Sequence, residues 1–170
     1  MGDKKVYSGK YMTVFEEAIG PFTYERAYLL PSVQVIPVLA DGRILMIKER
    51  RAVEGVSRWK FVSGFCDKPG LSNEQVAQEE LMEEAGFVAG KLQEFFRHEH
   101  KHSFVIPITY FLAYDLKESK KPNPDGEVVE EVKSFSIEEL YKRVLDGEFD
   151  FLHEASIIMM LYRDWKKVKP

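Results

Sequence analysis

The 170-residue sequence predicts an α+β fold, an α/β/α sandwich with helices packed on a mixed sheet, in one domain spanning residues 1–170. Three patterns carry that expectation. Alternating apolar and polar runs fill the early part of the chain, one well-capped helix interrupts them, and further strands followed by two helices complete it. Hydrophobic residues make up 45% and charged residues 31%, a balance that buries a core without staples, and the lone Cys66 can form no internal disulfide.

Taken in order, residues 22–30 and 32–39 read as strands, and Asp41-Gly42 as a hairpin turn into a partner strand over 43–50. Residues 58–65 read as one short strand that runs into a glycine turn, after which Asp67-Lys68-Pro69-Gly70 breaks regular structure. The following helix has Ser72 as N-cap with Gln75 three residues later, the spacing of a capping box, and Gly86 as its terminating residue. Strands over 91–98 and 104–114 come next, and Pro122 and Pro124 place a loop at 117–126. A strand at 128–135, a helix opened by Ser136 with Glu139 at capping-box spacing, and a last helix through Ala155, Ile158, Tyr162 and Trp165 close the chain.

Several function classes are disfavoured. A net charge of -4 argues against a general binder of nucleic-acid backbone, which carries a basic excess. Apolar runs such as 104–114 are too short to span a bilayer, and no apolar stretch behind Met1-Gly2-Asp3-Lys4-Lys5 makes a signal peptide, so the expected compartment is the cytoplasm. His98, His100 and His102 alternate as metal ligands on a strand could, but they sit where two strands join, and the expectation is an ordinary turn.

The stretch Glu79-Glu80-Leu81-Met82-Glu83-Glu84-Ala85-Gly86-Phe87 carries the chemistry. Helical spacing puts Glu80, Glu83 and Glu84 on neighbouring faces, where carboxylates repel unless water screens them or a cation sits among them. Both readings stand on the residues alone: a solvated acidic face, or a cradle for a hard divalent ion that takes oxygen ligands.

Gly64, the loop to Leu71 and the segment Glu80 to Phe87 together resemble the Nudix box, in which Gly, five residues, Glu and seven residues precede Arg-Glu-apolar-any-Glu-Glu-any-Gly-apolar. The second half matches closely. Glu79 stands at the arginine position, Leu71 where the first glutamate belongs, and one residue, assigned to Lys68, is inserted. Arg58-Trp59-Lys60-Phe61-Val62-Ser63-Gly64 and residues 127–135 resemble the flanking segments of the ADP-ribose pyrophosphatase and nucleoside-diphosphate-sugar hydrolase branch.

The resemblance implies a Nudix fold with a loop-helix-loop metal site, and a metal-dependent hydrolase that cleaves the P–O–P bond of a nucleoside diphosphate linked to another moiety. It implies Mg²⁺ or Mn²⁺ held by Glu80, Glu84 and Glu83, with the Ser63 carbonyl as backbone ligand. Glu83 is also placed among the catalytic residues, Arg51 as a substrate contact, and Glu127 as general base from a set that includes Asp125, Glu130 and Glu131. It further implies a homodimer built through N-terminal strands over residues 7–30. Two alternatives follow from the departures at Leu71, Glu79 and Lys68 and from the silence of the box on substrate choice. One is a nucleotide-binding module of weak activity; the other is a hydrolase of nucleoside triphosphates or dinucleotide cofactors.

Overall fold

The structure, a computed structural model, describes residues 4–50, 55–119, 128–149 and 152–170. Among these residues ten strands and three α-helices follow one another as β1 (Lys4–Ser8), β2 (Met12–Ile19), β3 (Phe22–Leu29), β4 (Ser32–Pro37), β5 (Ile44–Arg50), β6 (Ser57–Lys60), β7 (Val62–Phe65), α1 (Asn73–Glu80), β8 (Phe87–Lys101), β9 (Phe104–Glu118), β10 (Val128–Phe135), α2 (Ile137–Leu145) and α3 (Leu152–Val168). The α+β expectation holds.

Two sheets form. The larger has the order β1-β2-β3-β9-β4-β7, with β8 also paired to β9, and the smaller has the order β10-β5-β6. β9 organises the first sheet, because β8 takes one of its edges antiparallel while β3 and then β4 take the other edge parallel. The β4–β9 register sets Val33 beside Thr109 and Val35 beside Phe111, so alternation along both strands sorts the core into two layers. On one face Val33, Val35, Ile47, Val62 and Phe111 pack with Val76, Ala77 and Leu81 of the α1 region. On the other, Ile36, Met46, Tyr110 and Leu112 pack with Leu140 of α2 and Ile158 and Leu161 of α3.

Two expectations need correction. Residues 58–65 are two strands in different sheets, because the chain breaks at the fully buried Phe61 and switches from β5 to β4 as its pairing partner. The hairpin of β8 and β9 extends to Lys101 and Glu118, well past 98 and 114, since cross-strand pairing carries polar ends that alternation alone would leave out. β1 and β2 precede β3 in the N-terminal region, and the Lys4–Ser8 segment, exposed along its whole length, owes its conformation to pairing with β2.

Candidate active site

Local chemistry builds α1 where it is. The Gln75 N–H donates to Ser72 Oγ at 3.3 Å and the Ser72 N–H donates to Gln75 Oε1 at 2.8 Å, completing the capping box. Gln78 then ties the helix to β8, donating from Nε2 to the Ala89 carbonyl at 2.7 Å and accepting the Ala89 N–H at 3.0 Å. The continuation Leu81–Ala85 widens to a π turn, in which the Gly86 N–H reaches the Leu81 and Met82 carbonyls. Gly86 ends it with φ 77°, a left-handed conformation that glycine adopts without strain, and its carbonyl accepts from Ser119 N at 2.8 Å.

This path directs two carboxylates onto the middle of strand β7, where Gly64 pairs with Val33 of β4 and so does not form the glycine turn the sequence led one to expect. Glu80 lies flat against Gly64: a Cβ built there would stand 2.1 Å from Glu80 Oε1 and 2.2 Å from Cδ. Glu84 is buried and accepts the Ser63 N–H at Oε2, 2.9 Å away. Since β7 is the edge of its sheet, and the N–H and C=O of a strand residue leave on the same side, the Ser63 carbonyl shares the Glu84 side of that edge. Glu83, half-buried, follows on the same turn.

Sequence reasoning missed two members of this centre, Glu49 of β5 and Lys60 of β6, both buried. Lys60 Nζ donates to Glu49 Oε2 and, at 3.1 Å, to Glu84 Oε1. The available signal was a lysine set between two large aromatic residues, Trp59 and Phe61, a position that needs a charged partner once it is buried. Burial pushes the Glu84 carboxyl up to about 8, against the opposing pull of Lys60 and the Ser63 N–H. Burial alone would lower the Lys60 ammonium, but Glu84 and Glu49 outweigh it and the net direction is upward, so Lys60 is charged.

Arg51 and Glu127 lie outside the described residues. His98 stacks on Phe96 with centroids 6.1 Å apart, and among the described residues no group of three or more His, Cys, Asp or Glu is placed to hold a metal by itself. Burial, with Glu80 and Asp67 adding to it, raises the Cys66 thiol, which is the wrong direction for a nucleophile. A separate cavity of about 400 Å³ is lined by Lys48 of β5, Arg58 and Trp59 of β6, and Glu148, Phe149 and Glu154.

The donors beside Ser63 and Gly64 of β7 suit a hard divalent ion: two carboxylates and a backbone carbonyl, all oxygen, fewer than an all-protein cage and matched to an ion that keeps water or phosphate ligands.

Comparison with known proteins agrees with this arrangement. A search of curated proteins returns no match. A solved structure described as an ADP compounds hydrolase superposes with a TM-score of 0.78 at 21% identity, covering 98% of this chain and 92% of that one, a likeness of fold. No described helix is long and apolar enough to cross a membrane. The Nudix domain model matches residues 29–155, the span that holds β4 to β10 and both of these glutamates, and the chain therefore belongs to the Nudix family of hydrolases.

Proposed function

We propose that this hydrolase cleaves the P–O–P bond of a nucleoside diphosphate joined to a second group, of the ADP-ribose or nucleotide-sugar kind, with Mg²⁺ or Mn²⁺ bound. The observation that carries the reading is the meeting of Glu80 and Glu84 at Ser63 and Gly64 of the edge strand β7. The ADP compounds hydrolase that shares the fold supports an ADP-linked substrate. Nudix hydrolases generally use divalent metals, and here Glu80, Glu84 and the Ser63 carbonyl would hold the ion, with Glu83 as a third or bridging ligand. When bound, such an ion neutralises charge that develops on the phosphates. The chain's own groups do the rest. Glu127 accepts a proton from the attacking water as its oxygen bonds to phosphorus, the bridging P–O bond breaks, and the electron pair leaves with the second phosphate. Arg51 contacts the substrate.

The test is a panel of ADP-ribose, nucleotide sugars, nucleoside triphosphates and dinucleotide cofactors with Mg²⁺ or Mn²⁺, each product identified. Two monophosphate products from ADP-ribose or a sugar nucleotide are expected. Tight nucleotide binding by calorimetry with no product after long incubation would replace the proposal with a binding module, the reading favoured by the ammonium already paired to Glu84.

The same proposal includes a cytoplasmic homodimer joined through β1 to β3, whose surface exposes Tyr7, Tyr11, Ile19, Phe22 and Tyr24. Light scattering at micromolar protein should give twice the chain mass, and a monomer mass removes the dimer.

A further inference from the structure

Lys60 stands between two acids that reach it from different elements. Glu49 projects from β5 and Glu84 from the π turn, and the β5–β6 register pairs Ile47 with Lys60 and Glu49 with Arg58, which puts Glu49 and Lys60 diagonally on one face. Lys60 Nζ contacts one oxygen of each carboxylate, and the second Glu84 oxygen is held by the Ser63 N–H at 2.9 Å. All three residues are buried, at 7% exposure for Glu49, 8% for Lys60 and 6% for Glu84.

We propose that the Lys60 ammonium is a resident cation of the centre: it fills, between Glu49 and Glu84, a position that a divalent ion would otherwise take, and so lowers by one the number of such ions this chain binds. The inference rests on the reading of Glu84 as a metal-facing carboxylate. Three physical points support it. The acids are anchored on a strand and on a capped helical segment, so the gap between them persists when the lysine head is removed. Removing the ammonium that bridges two buried carboxylates leaves those oxygens facing one another across the gap, where burial favours uptake of a proton or a metal ion in its place. The vacated donors are hard oxygens, which suits Mg²⁺ and Mn²⁺ over softer ions. Lys60 is thus a positioning residue: it holds one oxygen of Glu84 in place while the Ser63 N–H holds the other.

The test counts ions and does not depend on turnover. Mn²⁺ bound per chain is measured by paramagnetic resonance of the free ion after equilibrium dialysis, at mildly alkaline pH where carboxyl protons compete least. Wild type is compared with Lys60→Met, Lys60→Gln and the double variant Glu49→Gln/Lys60→Met. Lys60→Met should bind one more ion per chain than wild type, and the gain should disappear in the double variant, which lacks one of the two acids. Should Lys60→Met fail to fold, Lys60→Gln carries the same expectation, read also as a larger rise in melting temperature on adding Mn²⁺ than wild type shows. Equal counts in wild type, Lys60→Met and Lys60→Gln overturn the proposal, as does an extra ion that survives loss of Glu49. The wild-type count separately reports on the metal-dependent reading: a wild type that binds no Mn²⁺ breaks that reading, while the difference between variants still decides the role of Lys60.

Discussion

Gly64→Ala separates the fold from the site. The backbone at Gly64 is not in the left-handed region, so alanine is tolerated conformationally, and such a change gains roughly 0.4–1 kcal/mol by restricting the unfolded chain. The added methyl, however, would sit 2.1 Å from Glu80 Oε1, 2.2 Å from Cδ and 2.8 Å from Cγ. Carbon contacts relax at about 3.5 Å, so the Glu80 carboxylate must retreat by roughly 1.5 Å. That end of the side chain is flexible, and the cost to stability should stay within about 1 kcal/mol, equivalent to a melting shift of ~2–4 °C for a chain of this size. A misplacement of about 1 Å in a reacting centre can cost on the order of a hundredfold. The expected result is therefore a near-normal melting curve, turnover down about a hundredfold, and Mn²⁺ binding weakened roughly 10- to 100-fold. Turnover within about threefold of wild type would show that Glu80 does no work at β7, and a stability loss above ~3 kcal/mol would show that the backbone, not the carboxylate, gives way.

Glu84→Gln should weaken Mg²⁺ binding and turnover together, with part of the activity returning at higher metal, and calorimetry beside steady-state rates reads both. Glu127→Gln should leave metal affinity intact while turnover falls by about a hundredfold to ten-thousandfold, a deficit that shrinks as pH rises; normal turnover would move the base to Glu130 or Glu131. Because burial raises Glu84 from 4.5 to about 8, it must lose a proton to ligate, so Mg²⁺ affinity should rise toward a limit of about tenfold per pH unit as pH climbs to that value, and a flat calorimetric profile refutes the coupling. The sign for stability is opposite: folded protein without metal binds the Glu84 proton more tightly than the unfolded chain, so this contribution is full below about 4.5 and is lost as pH rises through about 8. Chemical denaturation in chelator should show that decline, and Glu84→Gln should flatten it.

What was legible in the sequence was local. Ser72 with Gln75 and Ser136 with Glu139 each satisfy helix N-termini within four residues, and both capping boxes form as the spacing predicts. Gly86 terminates the box helix for the same local reason, a positive φ that few other residues adopt. The parts that were not legible depend on distant partners. β1 has no buried face and is a strand through its pairing with β2; the break at Phe61 follows from two different pairing partners; Glu49 meets Lys60 across β5 and β6 and Glu84 from a helical turn. No periodicity encodes such a meeting. The neutral reading of the acidic stretch as a solvated face fits Glu79, exposed enough to pair with Lys68 near water, and fails for Glu84, which is buried.

The departures from the box pattern become intelligible together. Leu71, standing where an acid belongs, packs against the cluster of Val33, Ala77 and Leu81, so that position anchors the loop by apolar burial instead of charge. Glu79, standing where the arginine belongs, does not join the acids at the turn unopposed, because Lys68 Nζ reaches its Oε2 at 2.6 Å. The pair is half-exposed and worth only ~0–1 kcal/mol, so its importance is electrostatic placement more than stability. Lys68 is raised chiefly by its hydrogen bond to Glu79, and Glu83 and Glu80 add to the effect, which means one ammonium faces the whole acidic row. The inserted residue thus brings the positive charge that the substituted arginine position lacks. Lys60 does the corresponding task inside, at Glu49 and Glu84. Two lysines, one at the rim beside Glu79 and one in the interior between Glu49 and Glu84, thus oppose the acids on either side of Glu80, whose carboxylate lies against Gly64.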